Sequence, residues 1–335
     1  MTKVAVVGAG SWGTVLAAVL SKKLHDVCLW AFESEVAEQI TDRRENVSYL
    51  PGIELPANLR SSADLQAALQ GAEVVLSVSP AQVVGSVMEQ AAAHIEDDAV
   101  IVSASKGIET KTLRRMDEVL SDVLSPAQLD GFTVLSGPSF AREVADEIPT
   151  AVVAASEKSE AALAIQDLLQ THYFRVYTGT DVIGVELGGA LKNVSALAAG
   201  VAAGLGCGHN TLAALITRAL AEMSRLGVAM GARASTFSGL AGIGDLVLTC
   251  TGTLSRNRTV GYRLGQGEAL ESILGEMSAV AEGVATASAV HDLAARYGVE
   301  MPIAEEVFGI LTQGTEPKQA LKKLMERDPK AEESF

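Results

Sequence analysis

The stretch Val4-Ala5-Val6-Val7 running into Gly8-Ala9-Gly10-Ser11-Trp12-Gly13 decides the reading of this chain. The first four residues are a β-type run, and an Ala/Leu-rich helical segment follows the last glycine. Each glycine has a physical reason: Gly8 admits a tight turn and Gly10 lets backbone approach a pyrophosphate. Gly13 permits close packing of helix on strand, and the helix N-terminus then faces the phosphates. From Val4 to Ser21 there is no charge, with Lys3 before and Lys22-Lys23 after, a pattern shared with signal peptides and short membrane spans. The glycines interrupt it, and β-branched residues crowd the first half while alanines crowd the second. A strand, a glycine turn and a helix are therefore expected, with no membrane span.

Outward from this motif, short apolar runs alternate with helical stretches. The expected strands are Val4–Val7, Val27–Trp30, Val74–Val78, Val100–Ser103, Thr133–Leu135 and Thr150–Ala154, with Tyr173–Thr178 closing the sheet. Charged, 3.6-periodic segments such as Glu33–Thr41 and Ala81–His94 lie between them. This alternation predicts an α/β, Rossmann-type, doubly wound and mostly parallel sheet over residues 1–180. Beyond Asp181 the pattern turns helical, as in Asp181–Ala203, Thr211–Gly227, Leu254–Leu264 and Val284–Tyr297. An all-α substrate-binding and catalytic domain is expected over residues 181–335, ending in a frayed tail, Glu326–Phe335.

The chain has 335 residues, 48% of them hydrophobic, enough for a large core in two domains. Aromatic residues make up 4% and glycines number 31, so small side chains do much of the packing. With 26 basic residues against 41 acidic ones, the net charge of −15 disfavours nucleic acid or an anionic membrane as a partner. An anionic ligand then requires a local basic cluster. Three distant cysteines, Cys28, Cys207 and Cys250, suggest no disulfide framework and fit a reducing cytoplasm. Cys207 and His209 offer two soft ligands without a third, so no metal is expected.

Ligands of open α/β sheets sit beyond the carboxyl ends of the strands. Glu33, 20 residues past Gly13, stands where an acid reads ribose hydroxyls and repels the extra phosphate of NADP; its alternative is an ordinary first-turn helix acid. Phe32 beside it either stacks on adenine or packs under the loop. Lys106 lies at another strand end, either as a solvated loop lysine or at the ligand crevice, and Ser139 in Gly137-Pro138-Ser139 either caps the following helix or meets a ligand. Lys192 projects from a helix with Gly188, Ser195 and Ala196 at i−4, i+3 and i+4. A lysine in such a groove is open to close approach and desolvation, which lowers its pKa toward proton transfer; the alternative is a tight helix–helix contact. The turn Gly239–Gly244 ends in Asp245, which either caps a helix or orients a lysine. Ser255-Arg256-Asn257-Arg258 at a helix start is suited to phosphate; its alternative is two arginines on an ordinary surface helix. Lys106, Lys192, Arg256 and Arg258 are the candidate basic pocket.

Together these segments resemble the NAD-dependent sn-glycerol-3-phosphate dehydrogenase family over essentially the whole chain. The resemblance is carried by GAGSWGT at 8–14, NVSYLPG at 46–52, Ser105-Lys106-Gly107, SGPSFA at 136–141, GVELGGALKNV at 184–194, NTLAALITR at 210–218, GLAGIGDLVLTC at 239–250 and SRNR at 255–258. It implies reversible hydride transfer between the nicotinamide and dihydroxyacetone phosphate, giving glycerol 3-phosphate for phospholipids. It implies Lys192 as proton donor and acceptor, with Lys106 and Asp245 beside it. Lys106, Gly137, Ser139, Lys192, Asn193, Asp245, Ser255, Arg256 and Asn257 would contact substrate. Gly8, Gly10, Ser11, Trp12, Gly13, Phe32, Glu33, Lys106, Ala141, Arg256, Val280 and Glu282 would contact the cofactor. NAD(H) is the preferred cofactor and NADP(H) the possible second, because Phe32-Glu33 resemble the eukaryotic NAD-linked branch. A homodimer in the cytoplasm is the family expectation. The loop Val201–Asn210 departs from the family pattern at Ala202-Ala203-Gly204, Cys207 and His209, and Leu212 departs just beyond it. The rival readings are another two-domain hydroxyacid dehydrogenase and a non-catalytic dinucleotide sensor. The SRNR cluster argues against the first, and Lys106, Lys192 and Asp245 together argue against the second.

Overall fold

The protein is described by a computed structural model covering residues 1–277, 280–329 and 331–332. The chain divides into two compact units, Met1–Lys106 with Arg115–Val182, and Gly107–Arg114 with the residues from Ile183 on.

The first unit is built on eight strands: β1 (Lys3–Val7), β2 (Asp26–Trp30), β3 (Arg60–Ser62), β4 (Val74–Ser77), β5 (Val100–Ser103), β6 (Thr133–Ser136), β7 (Thr150–Ala155) and β8 (Phe174–Gly179). They lie in the order β3-β2-β1-β4-β5-β6-β7-β8. All neighbours are parallel except β6 and β7, which run antiparallel. The alternation read from the sequence recovers seven of these strands; β3, Arg-Ser-Ser at the sheet edge, was not anticipated. Three polar residues carry no hydrophobic period, so pairing with β2 is what makes them a strand.

Seven helices cover the sheet: α1 (Ser11–Lys22), α2 (Ser34–Arg43), α3 (Leu65–Leu69), α4 (Val84–Ala92), α5 (Met116–Val123), α6 (Ala141–Ala145) and α7 (Ser159–Leu169). The period of two along each strand sorts side chains into two cores. Val4 and Val6 of β1, with Val27 and Leu29 of β2, join one core. Ala5 and Val7, with Cys28 and Trp30, join the other. The uncharged opening stretch is thus β1, a glycine turn and α1, with Gly13 to Ser21 buried.

The second unit is helical among its described residues: α8 (Val182–Gly204), α9 (His209–Ala229), α10 (Ala234–Phe237), α11 (Asp245–Thr251), α12 (Arg256–Gly265), α13 (Leu270–Gly275), α14 (Glu282–Tyr297), α15 (Pro302–Thr312) and α16 (Pro317–Met325). A wide turn, Leu240–Gly244, joins α10 to α11. The helix α8 is long and apolar enough to cross a membrane, yet 94% of its apolar window is buried inside the protein, as in a core helix. Residues 330 and 333–335 of the tail expected to fray lie outside the described residues.

Candidate active site

At the carboxyl ends of β1, β2, β5 and β6 the first unit carries its share of the expected site residues. Strand order reverses between β1 and β4, the switch point of a doubly wound sheet. Gly8 follows β1 with φ +122°, and a Cβ there would lie 2.9 Å from the Val78 carbonyl carbon beyond β4. At Gly13 a Cβ would collide with the Gly8 carbonyl oxygen, so α1 seats on the turn only with glycine at that position. Above Gly10 there is nothing within 4 Å of a Cβ position. Gly10 is also the cap residue of α1, and no side chain caps that terminus. The buried indole nitrogen of Trp12 has no hydrogen-bond partner. An open backbone cradle, uncapped amides and a waiting donor fit the diphosphate of a dinucleotide.

Glu33 occupies the cap position of α2, and its carbonyl accepts from the amides of Val36 and Ala37. Its carboxylate does not cap the helix. It accepts a 2.9 Å hydrogen bond from the Tyr49 hydroxyl, which pushes the Tyr49 pKa above its ordinary value, with burial adding to the effect. Phe32 is 79% exposed and meets Trp30 edge-on, so it is not packed under the loop.

Lys106, just past β5, donates from Nζ to the Gly137 carbonyl at 3.0 Å, and Ser139 Oγ donates to the same oxygen at 2.9 Å. The capping role offered for Ser139 is not realised: Phe140 is the cap residue of α6, and the serine turns back to Gly137 instead. Ala141 begins α6.

In the second unit Lys192 sits near the middle of α8. Its Nζ donates to Asp245 Oδ1 at 2.6 Å and to Thr249 Oγ1 at 2.9 Å. Thr249 in turn donates to the Asp245 carbonyl at 2.6 Å. Lys192 is 7% exposed and Asp245 1%. The ion pair is thus buried, with the Asp245 carboxylate as the counter-charge of Lys192. The reason for the meeting is steric. A Cβ at Gly188, one turn before Lys192, would collide with the Ala241 carbonyl oxygen. The Leu240–Gly244 turn therefore rests directly on the α8 backbone, and Asp245 at the start of α11 reaches the lysine. The small residue at i−4, expected to admit a ligand, admits this turn. Asp245 does not cap α11, since Gly244 holds that position; the lysine-orienting alternative is the one realised. Thr249 was missed, although its i+4 spacing from Asp245 was visible in the sequence.

A second knot ties the neighbouring helices. Asn257 Nδ2 donates to Asn193 Oδ1 at 2.9 Å, and Asn257 Oδ1 accepts from the Gly283 amide at 2.9 Å. Both asparagine side chains are buried and engaged with each other. Ser255 caps α12, accepting from the Arg258 amide at 3.2 Å while keeping its own proton to donate. Arg256 is exposed at the first position of α12, within the field of the Glu282 carboxylate at the start of α14. Val280 is 55% exposed beside it in sequence. The buried Cys250 thiol, beside Lys192 in this core, is pushed up to about 12 by burial and is no nucleophile.

Comparison with known proteins gives consistent results. The model described as NAD-dependent glycerol-3-phosphate dehydrogenase N-terminus matches residues 3–162, and that of the C-terminus matches residues 181–322. A protein of Geobacter metallireducens named glycerol-3-phosphate dehydrogenase [NAD(P)+] is 58% identical over 98% of both chains. Its namesake in Syntrophotalea carbinolica is 53% identical over 98% of this chain and 99% of its own. The crystal structure of glycerol-3-phosphate dehydrogenase from Coxiella burnetii superposes with a TM-score of 0.92 at 40% identity, covering 97% of this chain and 99% of the other.

Proposed function

The chain belongs to the NAD-dependent glycerol-3-phosphate dehydrogenase family, and from that premise we infer that it interconverts dihydroxyacetone phosphate and sn-glycerol 3-phosphate. The observation that carries this reading is the buried Lys192–Asp245–Thr249 cluster, with Ser255 and Arg256 at a helix start in the same unit.

When bound, the nicotinamide dinucleotide supplies or takes up the hydride. NAD(H) is the preferred form and NADP(H) the possible second. The glycine loop Gly8–Gly13 would hold the diphosphate with Ser11 and Trp12, and Glu33 with Phe32 would meet the adenosine end. Lys106, Ala141, Arg256, Val280 and Glu282 complete the proposed cofactor contacts. Residues 1–180 carry most of the proposed dinucleotide contacts, and residues 181–335 most of those for substrate and proton transfer.

On the chain's side the chemistry is that of a carbonyl becoming an alkoxide. Lys192 in its ammonium form stabilises the developing negative charge and then donates a proton from Nζ. In the reverse direction the neutral amine takes that proton back. Asp245 and Thr249 hold Nζ in one place, so the proton is delivered without reorganisation. Ser255 and Arg256 grip the phosphate with hydroxyl, guanidinium and helix amides, and this remote binding energy orients the ketone. Gly137, Ser139, Lys106, Asn193 and Asn257 line or support the substrate. The product serves phospholipid synthesis in the cytoplasm, and the active species is a homodimer.

The test is loss of NADH absorbance with dihydroxyacetone phosphate, run in parallel with NADPH. Turnover with NADH ahead of NADPH is expected. Binding of dinucleotide without turnover would favour the sensor instead.

A further inference from the structure

The segment Asn46–Leu50 is tied to the glycine loop more tightly than a connecting loop needs to be. Asn46 is fully buried, and its Nδ2 donates to the Ala9 carbonyl and to Thr14 Oγ1, both at 2.8 Å. Its Oδ1 accepts from the Tyr49 amide at 3.0 Å. Ser11 Oγ, at the first position of α1, donates to the Tyr49 carbonyl at 2.5 Å. The backbone of Tyr49 is therefore pinned on both sides to the loop that would cradle the diphosphate. From that anchored position its hydroxyl reaches across to Glu33 Oε1.

The physics of this bridge concerns an exposed carboxylate. Glu33 leads α2 with its side chain in solvent, and a free glutamate there samples many rotamers. One hydrogen bond from a rigidly mounted phenol selects the rotamer and leaves the second carboxylate oxygen to face a ligand. Pre-selecting a side-chain position lowers the entropy lost on binding. The diphosphate loop and the acid beyond the second strand thus become parts of one hydrogen-bonded assembly.

We propose that Tyr49 is a positioning residue for cofactor discrimination, holding Glu33 where its carboxylate accepts from the ribose hydroxyls of NADH and repels the 2′-phosphate of NADPH. This rests on the reading of Glu33 as the ribose contact. Asn46 and Ser11 act one step further back, by holding Tyr49.

The test compares wild type, Tyr49→Phe, Glu33→Gln and the double variant in steady-state assays with NADH and with NADPH, alongside direct titration of each dinucleotide. Tyr49→Phe should lower the NADH-to-NADPH ratio of kcat/KM about three- to tenfold, through KM for NADH and not through kcat. On the Glu33→Gln background the same change should alter the ratio by less than about twofold, because the two residues act as one. Equal losses with both cofactors, an unchanged ratio, or full additivity in the double variant would overturn the proposal. If Glu33→Gln itself leaves the ratio unchanged, the ribose reading falls and takes the proposal with it. If Glu33→Gln moves the ratio and Tyr49→Phe does not, only the role of Tyr49 falls.

Discussion

Lys192 shows what single side chains contribute. A lysine on an apolar helix invites either a packing or a chemical explanation, and its helix neighbours alone do not choose between them. The hydrogen bonds to Asp245 and Thr249 fix Nζ in one place, as the proposed proton transfer requires. Lys192→Ala should reduce kcat by roughly three orders of magnitude or more while leaving the NADH dissociation constant nearly unchanged. Retained turnover would remove it from proton transfer. Thr249 makes a subtler prediction. Thr249→Val leaves the shape but deletes the hydroxyl, and kcat should drop on the order of tenfold, with Thr249→Ser restoring most of it. Equal activity in the valine and serine variants would reduce Thr249 to packing. The sequence marked Lys192 and Asp245 because a charge among small residues stands out, whereas a threonine inside Leu-Val-Leu-Thr-Cys reads as ordinary helix.

Elements meet in this protein where side chains are missing or borrowed. The Leu240–Gly244 turn docks on α8 at Gly188, and α14 begins against α8 at Gly283, where a Cβ would press within 2.6 Å of the Asn193 carbonyl oxygen. A borrowed group joins α9 to α15. Met301 precedes Pro302 at the start of α15 and supplies no side-chain cap. Glu222 of α9 reaches over and accepts from the amides of Ile303 and Ala304, at 2.8 and 3.3 Å. No local signal exposes this cap, since donor and acceptor lie 81 residues apart. Burial pushes the Glu222 carboxyl up to about 7, against an ordinary value of 4.5, while the two amides and nearby Arg225 and Arg218 pull it down. The native state therefore keeps a proton that the unfolded chain has already released. Stability from this group is greatest below about pH 4.5, falls as pH rises toward about 7, and is level above that. Glu222→Gln should flatten that slope, a difference on the order of 3 kcal/mol across the interval, read from denaturant unfolding at several pH values. Parallel slopes for the two proteins would refute it.

For the molecule as a whole, the net charge of −15 opposes both proposed ligands, which are anions. Lys192 and Arg256 with the amides of α12 must overcome that field at short range. If they dominate capture, kcat/KM for dihydroxyacetone phosphate should fall as salt rises through about 0.1 M, where the Debye length nears 10 Å. A rise with salt would show that the global repulsion governs instead.

At this scale the division between sequence and structure is also clearest. Sequence by itself determined the alternating sheet, the glycine loop, the helical second half and the identity of Lys192, Asp245 and SRNR. Those features rest on local physics: side-chain period, the absence of a Cβ, and residue types suited to a charged ligand. It did not determine β3, because three polar edge residues pair only when a neighbour is present. Nor did it determine that Ser139 turns to Gly137, that Glu222 caps a distant helix, or that Tyr49 reaches Glu33. Each of those is a hydrogen bond whose partner is chosen by how the backbone is packed, and packing is a property of the folded chain, with its elements in place.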